Sequence, residues 1–90
     1  MRRVVVTGIG IVSCIGNNKA EVLDSLLGTK SGIVFSEEHK KYNFRSQVVG
    51  AVKNLDLEKH IDRKIRRFMG DGSAYSYIAL KEAIKESGLE

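Results

Sequence analysis

The opening of this chain constrains its fold more than any other feature. Val4-Val5-Val6 is an unbroken β-branched run that ends at Thr7-Gly8, and Gly8, Gly10 and Gly16 then punctuate the residues that follow. Such side chains favour strands, and a strand with no polar alternation is one covered on both faces, as in a parallel sheet flanked by helices. The run predicts a strand at Val4–Val6 feeding a glycine-rich turn, within an α/β architecture. One fully apolar strand cannot cover both its faces or satisfy its own edges, so it needs a larger sheet around it.

Two helices are legible on either side of a less regular middle. Asn18 is a suitable N-cap with Glu21 three residues on, and Ala20, Val22, Leu23, Leu26 and Leu27 share one side at helical period. This predicts a helix over 19–27, stopped by Gly28 at C′ and packing through its leucines. Residues 29–46 are polar and aperiodic apart from Ile33-Val34-Phe35, and read as a long connection. Ser46–Val52 reads as a short extended segment. From Lys59 to Met69, the residues Ile61, Ile65, Phe68 and Met69 share a face, which predicts one amphipathic helix.

A last helix, capped by Asp71 or Ser73, should run to Ser87, where Gly88 stops it and Leu89 is the usual apolar follower. Its first half, with Ala74, Tyr75, Tyr77 and Ile78, is apolar nearly all round. Its second half keeps Lys81, Glu82, Lys85 and Glu86 on a wet side and packs through Leu80 and Ile84. A strand should follow such a helix in an α/β chain, and none precedes Glu90. Residues 1–90 therefore read as one incomplete domain, the amino-terminal segment of something larger.

Composition closes off several classes. With 42% apolar residues the chain is not disordered throughout, and 90 residues are too few for two domains. Cys14 is the only cysteine, so no intrachain disulfide can form and nothing implies an oxidising compartment. The apolar stretch at the amino terminus is broken by glycine well short of a membrane span or secretory leader. The expectation is a soluble, cytoplasmic protein with no membrane partner.

The net charge of +4 has one location. Between Lys59 and Arg67 stand five basic residues (Lys59, Arg63, Lys64, Arg66, Arg67) and one acid, Asp62, so this stretch carries the whole excess and the rest of the chain balances. Arg63, Lys64 and Arg67 project together, opposite Ile61, Ile65 and Phe68. The pattern leaves two readings open, a solvated face or a docking patch for a polyanion or an acidic protein. No aromatic is interleaved among these charges to stack on bases, which speaks against nucleic acid.

Other motifs carry less. Gly8-Ile9-Gly10-Ile11-Val12-Ser13 half-resembles a dinucleotide fingerprint, but the third glycine is a serine and no acid ends the Ser46–Val52 segment to meet a ribose. Lys30-Ser31 is preceded by Thr29 rather than glycine, so it is not a phosphate-binding loop. Cys14 lacks a base, since His39 lies in the polar connection and His60 stands beside Asp62; neither histidine has a partner at metal-ligand spacing. No catalytic, metal-binding or cofactor-binding residue is expected here.

The opening Arg2-Arg3-Val4-Val5-Val6-Thr7-Gly8-Ile9-Gly10-Ile11-Val12-Ser13 strongly resembles the start of β-ketoacyl-[acyl-carrier-protein] synthases, the condensing enzymes of fatty-acid synthesis. Further stretches agree in order and spacing: Gly16-Asn17-Asn18, Lys30-Ser31-Gly32-Ile33, Arg45-Ser46, Ile61-Asp62-Arg63-Lys64, Arg67-Phe68-Met69, Glu82-Ala83-Ile84 and Ser87-Gly88-Leu89. Ile33-Val34-Phe35-Ser36, and the absence of an Arg-Phe-Asp triplet from the long connection, look more like the bacterial type I than the type II enzymes.

The resemblance implies a thiolase-like fold, with two βαβαβαββ halves in five layers, in a homodimer. It implies a ping-pong decarboxylative condensation in which an acyl group passes from acyl carrier protein to a cysteine and is attacked by the carbanion of malonyl-carrier. Two histidines would hold the thioester oxyanion. That cysteine and those histidines would all lie beyond position 90, and Cys14 aligns with a non-catalytic position. What the segment would inherit is a docking surface: the family's Asp-Arg-Lys-x-x-Arg motif reads Asp62-Arg63-Lys64-Ile65-Arg66-Arg67, which maps Arg63, Lys64 and Arg67 onto contact with the acidic recognition helix of acyl carrier protein. Arg66 replaces a usually apolar residue and is given no role. The rival expectation, from another class, is a small basic nucleic-acid-binding domain.

Overall fold

A computed structural model describes residues 1–89; Glu90, where the sequence reading ends the domain, lies outside the described residues. The elements are α1 (Lys19–Leu27), β1 (Ile33–Phe35), α2 (Glu37–Lys41), β2 (Val48–Gly50), α3 (Leu57–His60), α4 (Arg63–Arg66) and α5 (Asp71–Ser87). Strands β1 and β2 pair antiparallel, with Ile33 opposite Gly50, Val34 opposite Val49 and Phe35 opposite Val48. The mixture of helix and strand agrees with the expected class. None of the described helices is long and apolar enough to cross a membrane.

Val4–Val6 departs from expectation. It belongs to no helix or strand, and its side chains are 93%, 76% and 81% exposed. A strand exists through its ladder, and no described segment pairs with this one. The glycines behind it are held instead. A Cβ on Gly8 would collide with the carbonyl oxygen of Ala83, and one on Gly10 with that of Ala79. Alternate residues of an extended chain advance about 6.6 Å and helix residues four apart advance about 6 Å, so glycines two positions apart can rest on Ala79 and Ala83 of α5. The Gly-x-Gly pattern is therefore a close approach of backbone to backbone, not a nucleotide cradle.

Glu82 completes this seam. Its carboxylate accepts from the backbone N–H of Ile11 (3.3 Å) and from that of Lys19 (2.9 Å), the first residue of α1. Lys19 Nζ lies 2.7 Å from Glu86. Helical period places Glu82 beside Lys81 and Lys85, on the side expected to be wet. Period alone cannot show that an outlying backbone brings two amides to it.

Helix α1 has the predicted bounds and cap, with Asn18 Oδ1 accepting from Glu21 N at 2.9 Å. Its packing differs. Val22 and Ser25 are buried, and Ser25 Oγ donates to the carbonyl of Ile15 at 2.6 Å, whereas Leu23, Leu26 and Leu27 are open to solvent. Leu80 and Ile84 on α5 are likewise exposed, so the leucine-mediated packing expected between the helices does not form. The stop also shifts by one residue: Gly28 has φ −87°, and Thr29 takes the left-handed conformation at φ 55°. Thr29 N donates to Leu26 O and Lys30 N to Ser25 O, the paired bonds of a Schellman stop with threonine in the glycine position.

The middle is more ordered than its sequence suggests. Ser36 Oγ accepts from His39 N and caps α2, within the segment expected to be a plain connection. The expected single helix over 59–69 is instead two short helices broken at Ile61, whose backbone is extended (φ −132°, ψ 131°). Asp62 causes the break, because its side chain accepts from Lys64 N at 3.0 Å and starts a new helix where the old one would have continued. At its far end α5 stops as predicted, with Gly88 at φ 79°. Its start is capped by Gly70, without a side-chain bond, rather than by Asp71 or Ser73.

The core is small: Ile61, Ala74 and Ile78 are buried, with Val12, Leu55, Leu57, Met69 and Tyr77 packed against them. The radius of gyration is 16.1 Å, against about 12 Å for a compact chain of this length. The accessible surface is 7610 Å², against roughly 5200 Å² for a compact protein of this mass. Residues 1–89 thus leave much of their apolar surface unburied, which is why the leucines of α1 and the valines of the opening run remain open.

Candidate functional site

The residues singled out by charge lie on the corner made by α3 and α4. Arg63 and Lys64 begin α4, and Arg67 closes it, with Arg67 N donating to Arg63 O at 3.2 Å, so these two side chains are one turn apart. All three are exposed, and among the described residues none takes part in a salt bridge. Asp62, the one acid in the stretch, is turned to backbone, where it caps α4 through Lys64 N. Arg63, Lys64 and Arg67 therefore stand without a salt-bridge partner among the described residues, while Asp62 serves the fold.

Apolar side chains flank the charges. Phe68 is 85% exposed, with the Arg67 guanidinium 5.5 Å from its ring centroid, and Ile65 is 44% exposed. Ile61 alone of the predicted apolar face is fully buried, and Met69 packs against its cluster. The face expected to be one stripe is thus divided by the break at Ile61 into a buried part and a solvent-facing part.

Arg66 behaves unlike its neighbours. Its guanidinium donates to the carbonyl of Met69 (2.5 Å) and to Asp71 Oδ1 (2.8 Å), and its side chain is only 27% exposed. The sequence reading gave it no part. The one signal available was the acid five residues on, a spacing that no helical period brings together.

The other candidates are not assembled into a site. Cys14 packs where Gly32 and Gly50 leave room for it: a Cβ on Gly50 would stand 3.0 Å from its Sγ, and one on Gly32 would be more crowded still, 2.7 Å from the Sγ and closer again to the Cys14 carbonyl oxygen. His39 meets Phe44 in a tilted contact, with ring centroids 4.9 Å apart and ring planes at 50°. His60 lines an open cleft of about 520 Å³ with Asn18, Leu55, Ile78 and Glu82, whereas Cys14 lines a separate hollow of about 140 Å³. Neither imidazole is brought to the thiol.

The Beta-ketoacyl synthase, N-terminal domain family matches residues 1–90. The chain is 56% identical to the 3-oxoacyl-[acyl-carrier-protein] synthase 1 of Buchnera aphidicola subsp. Baizongia pistaciae, 55% to that of Haemophilus influenzae and 53% to that of Escherichia coli. Each comparison runs over 89 residues, 99% of this chain and 22% of the relative. Against a 3-oxoacyl-[acyl-carrier-protein] synthase 2, that of Vibrio cholerae, the identity is 39% over the same share of the chain. The chain spans 22% of the length of these curated relatives.

Proposed function

The chain belongs to the beta-ketoacyl synthase family, and from that premise we propose that it serves as the amino-terminal part of a fatty-acid-elongating condensing enzyme. The reaction proposed for the full-length enzyme is the decarboxylative condensation of an acyl-enzyme thioester with malonyl-acyl carrier protein. Two contributions fall to these residues. One is scaffold: Val4–Val6 and the exposed leucines of α1 present apolar surface to the rest of a thiolase-like fold, working as a homodimer in the cytoplasm. The other is part of the docking surface for acyl carrier protein, formed by Arg63, Lys64 and Arg67. No catalytic role is assigned to Cys14.

The docking reading is carried by one observation. Three exposed cations, free of salt bridges among the described residues, stand at the positions that the resemblance assigns to the family's basic motif, while Asp62 beside them caps α4 and Asp71 is paired with Arg66. An acidic helix could meet Arg63 and Arg67 together, since they are one turn apart, with Lys64 on the same flank. Exposed charge pairs contribute about 0.2–1 kcal/mol each, and they act mainly on association rate and orientation.

The test compares two substrates in the full-length enzyme. Reversing Arg63 and Arg67 to glutamate should raise KM for the acyl-carrier substrate by roughly tenfold, because attraction is replaced by repulsion at two positions. Turnover of a minimal thioester without the carrier should hardly change. Equal loss on both substrates would make the corner structural. No loss on either would make it a solvated face. Salt-dependent binding to DNA with none to the carrier would favour a nucleic-acid-binding module instead.

A further inference from the structure

We infer that Arg66 is a positioning residue for the carrier-docking surface: its guanidinium ties α4 to the start of α5 and so fixes the geometry in which Arg63, Lys64 and Arg67 meet their partner. The inference rests on the docking reading above and deepens it.

Helix α4 has four residues, far too few to persist by its own hydrogen bonds. Something outside it must hold its axis. The Asp62 cap secures its first turn but joins it to nothing beyond the adjacent chain. Among the described residues, the only side-chain hydrogen bonds that carry α4 to another element are those of Arg66. One arm of its fork donates to the carbonyl of Met69, which packs against the buried Ile61, Ala74 and Ile78. The other donates to Asp71, the first residue of α5.

Both acceptors suit the task. Asp71 sits in the first turn of a 17-residue helix that has no side-chain cap, where a carboxylate is favoured by the helix dipole. Met69 is partly buried against the core, so its carbonyl is an acceptor on a segment anchored there by packing. A planar guanidinium can serve both acceptors at once, whereas a lysine ammonium is a flexible point charge without the fork. The side chain of Arg66 is 27% exposed, and its charge is matched by Asp71 2.8 Å away. It therefore adds little to the field a partner feels. What it supplies is order, and ordering a surface before contact lowers the entropic cost of docking.

Two explanations for any Arg66 effect predict opposite signs at Asp71. If Arg66 helps the carrier only by its charge, removing Asp71 makes the corner more positive and strengthens docking. If Arg66 holds α4 in place, removing Asp71 frees half the clamp and weakens docking. The variants Arg66→Leu, Arg66→Lys and Asp71→Ala in the full-length enzyme separate these, with KM for the acyl-carrier substrate and kcat/KM for a minimal thioester as readouts.

The expected result is a rise of about threefold in carrier KM for all three variants, with the minimal thioester unaffected and the double variant Arg66→Leu/Asp71→Ala no worse than Arg66→Leu alone. A lower carrier KM in Asp71→Ala would overturn the inference in favour of bare charge. So would full retention of affinity in Arg66→Lys. Parallel loss on both substrates would overturn it in favour of a general structural role. An Arg63→Glu/Arg67→Glu enzyme run alongside keeps the premises apart: if it loses carrier affinity while the Arg66 and Asp71 variants do not, the clamp is wrong and docking stands. If it too is unaffected, the docking reading has failed first.

Discussion

The seam between the opening residues and α5 differs from the α3–α4 corner in what each is made of. At the seam, glycines lie directly on helix backbone at Ala79 and Ala83, and a single carboxylate, Glu82, gathers the amides of Ile11 and Lys19. At the corner, two four-residue helices are each started by an aspartate side chain, Asp56 for α3 and Asp62 for α4, and cationic side chains stand in solvent. The seam is held by contacts that leave no room for another side chain. The corner is held by its two aspartate caps, by Ile61 and Leu57 at the core and by the Arg66–Asp71 pair, and it leaves Arg63, Lys64 and Arg67 without salt-bridge partners among the described residues. Tight backbone contact marks structure here, and the proposed docking role of the corner rests on charge that has no salt-bridge partner among the described residues.

The comparison breaks most readily at the glycines. Gly10→Ala should cost about 3 kcal/mol or more, because the new methyl meets the Ala79 carbonyl and either the helix or the opening segment must move. Thermal unfolding of the full-length enzyme reads this directly, and a melting temperature unchanged by Gly10→Ala would mean that the seam is not tight.

A smaller loss, about 1–2 kcal/mol, is expected for Glu82→Ala, which leaves the Ile11 and Lys19 amides without their acceptor; both are partly open to water, which limits the cost. Glu82→Gln should lose less, since its amide oxygen still accepts. Equal losses for the two would point to charge rather than hydrogen bonding.

Thr29 sharpens the contrast from the other direction. A β-branched residue at φ 55° is strained, and glycine at that position is not. Thr29→Gly should raise stability by about 1 kcal/mol, offset in part by the extra freedom of glycine in the unfolded chain. A loss of stability would show that the threonine side chain makes a contact worth more than its strain.

How far these regions could be read in advance follows the same division. Helix α1 and the Gly88 stop were legible because caps and stops are local chemistry: Asn18, Glu21 and Gly88 act within a few residues of where they stand. The seam was not, since Gly8 and Gly10 are in contact with residues more than sixty positions away and a turn motif looks the same whether or not a helix lies over it. Strand β1 and helix α2 were missed because three residues and five residues are too short to show a period, although Ser36 before Glu37-Glu38 was a usable cap signal. The single helix read over 59–69 failed at Asp62, where a capping side chain outweighed an apolar repeat that continued unbroken through it. The leucines of α1, expected to pack, are exposed, because amphipathic period says that a face is apolar and not what covers it. The docking candidates Arg63, Lys64 and Arg67 were legible as charge; the clamp at Arg66 was visible only once Asp71 and Met69 were placed.

The most direct test of the division between seam and corner is the salt dependence of carrier binding. Affinity of the full-length enzyme for acyl carrier protein, measured across a series of salt concentrations, should fall steadily in the unaltered protein as screening grows. In Arg63→Glu/Arg67→Glu that dependence should flatten or reverse, while the melting temperature stays within the small range expected of surface substitutions, about 0.5 kcal/mol in stability. An unchanged salt dependence with the same melting temperature would contradict the docking role of the corner, and a collapse of the melting temperature would show that the corner, like the seam, is structure.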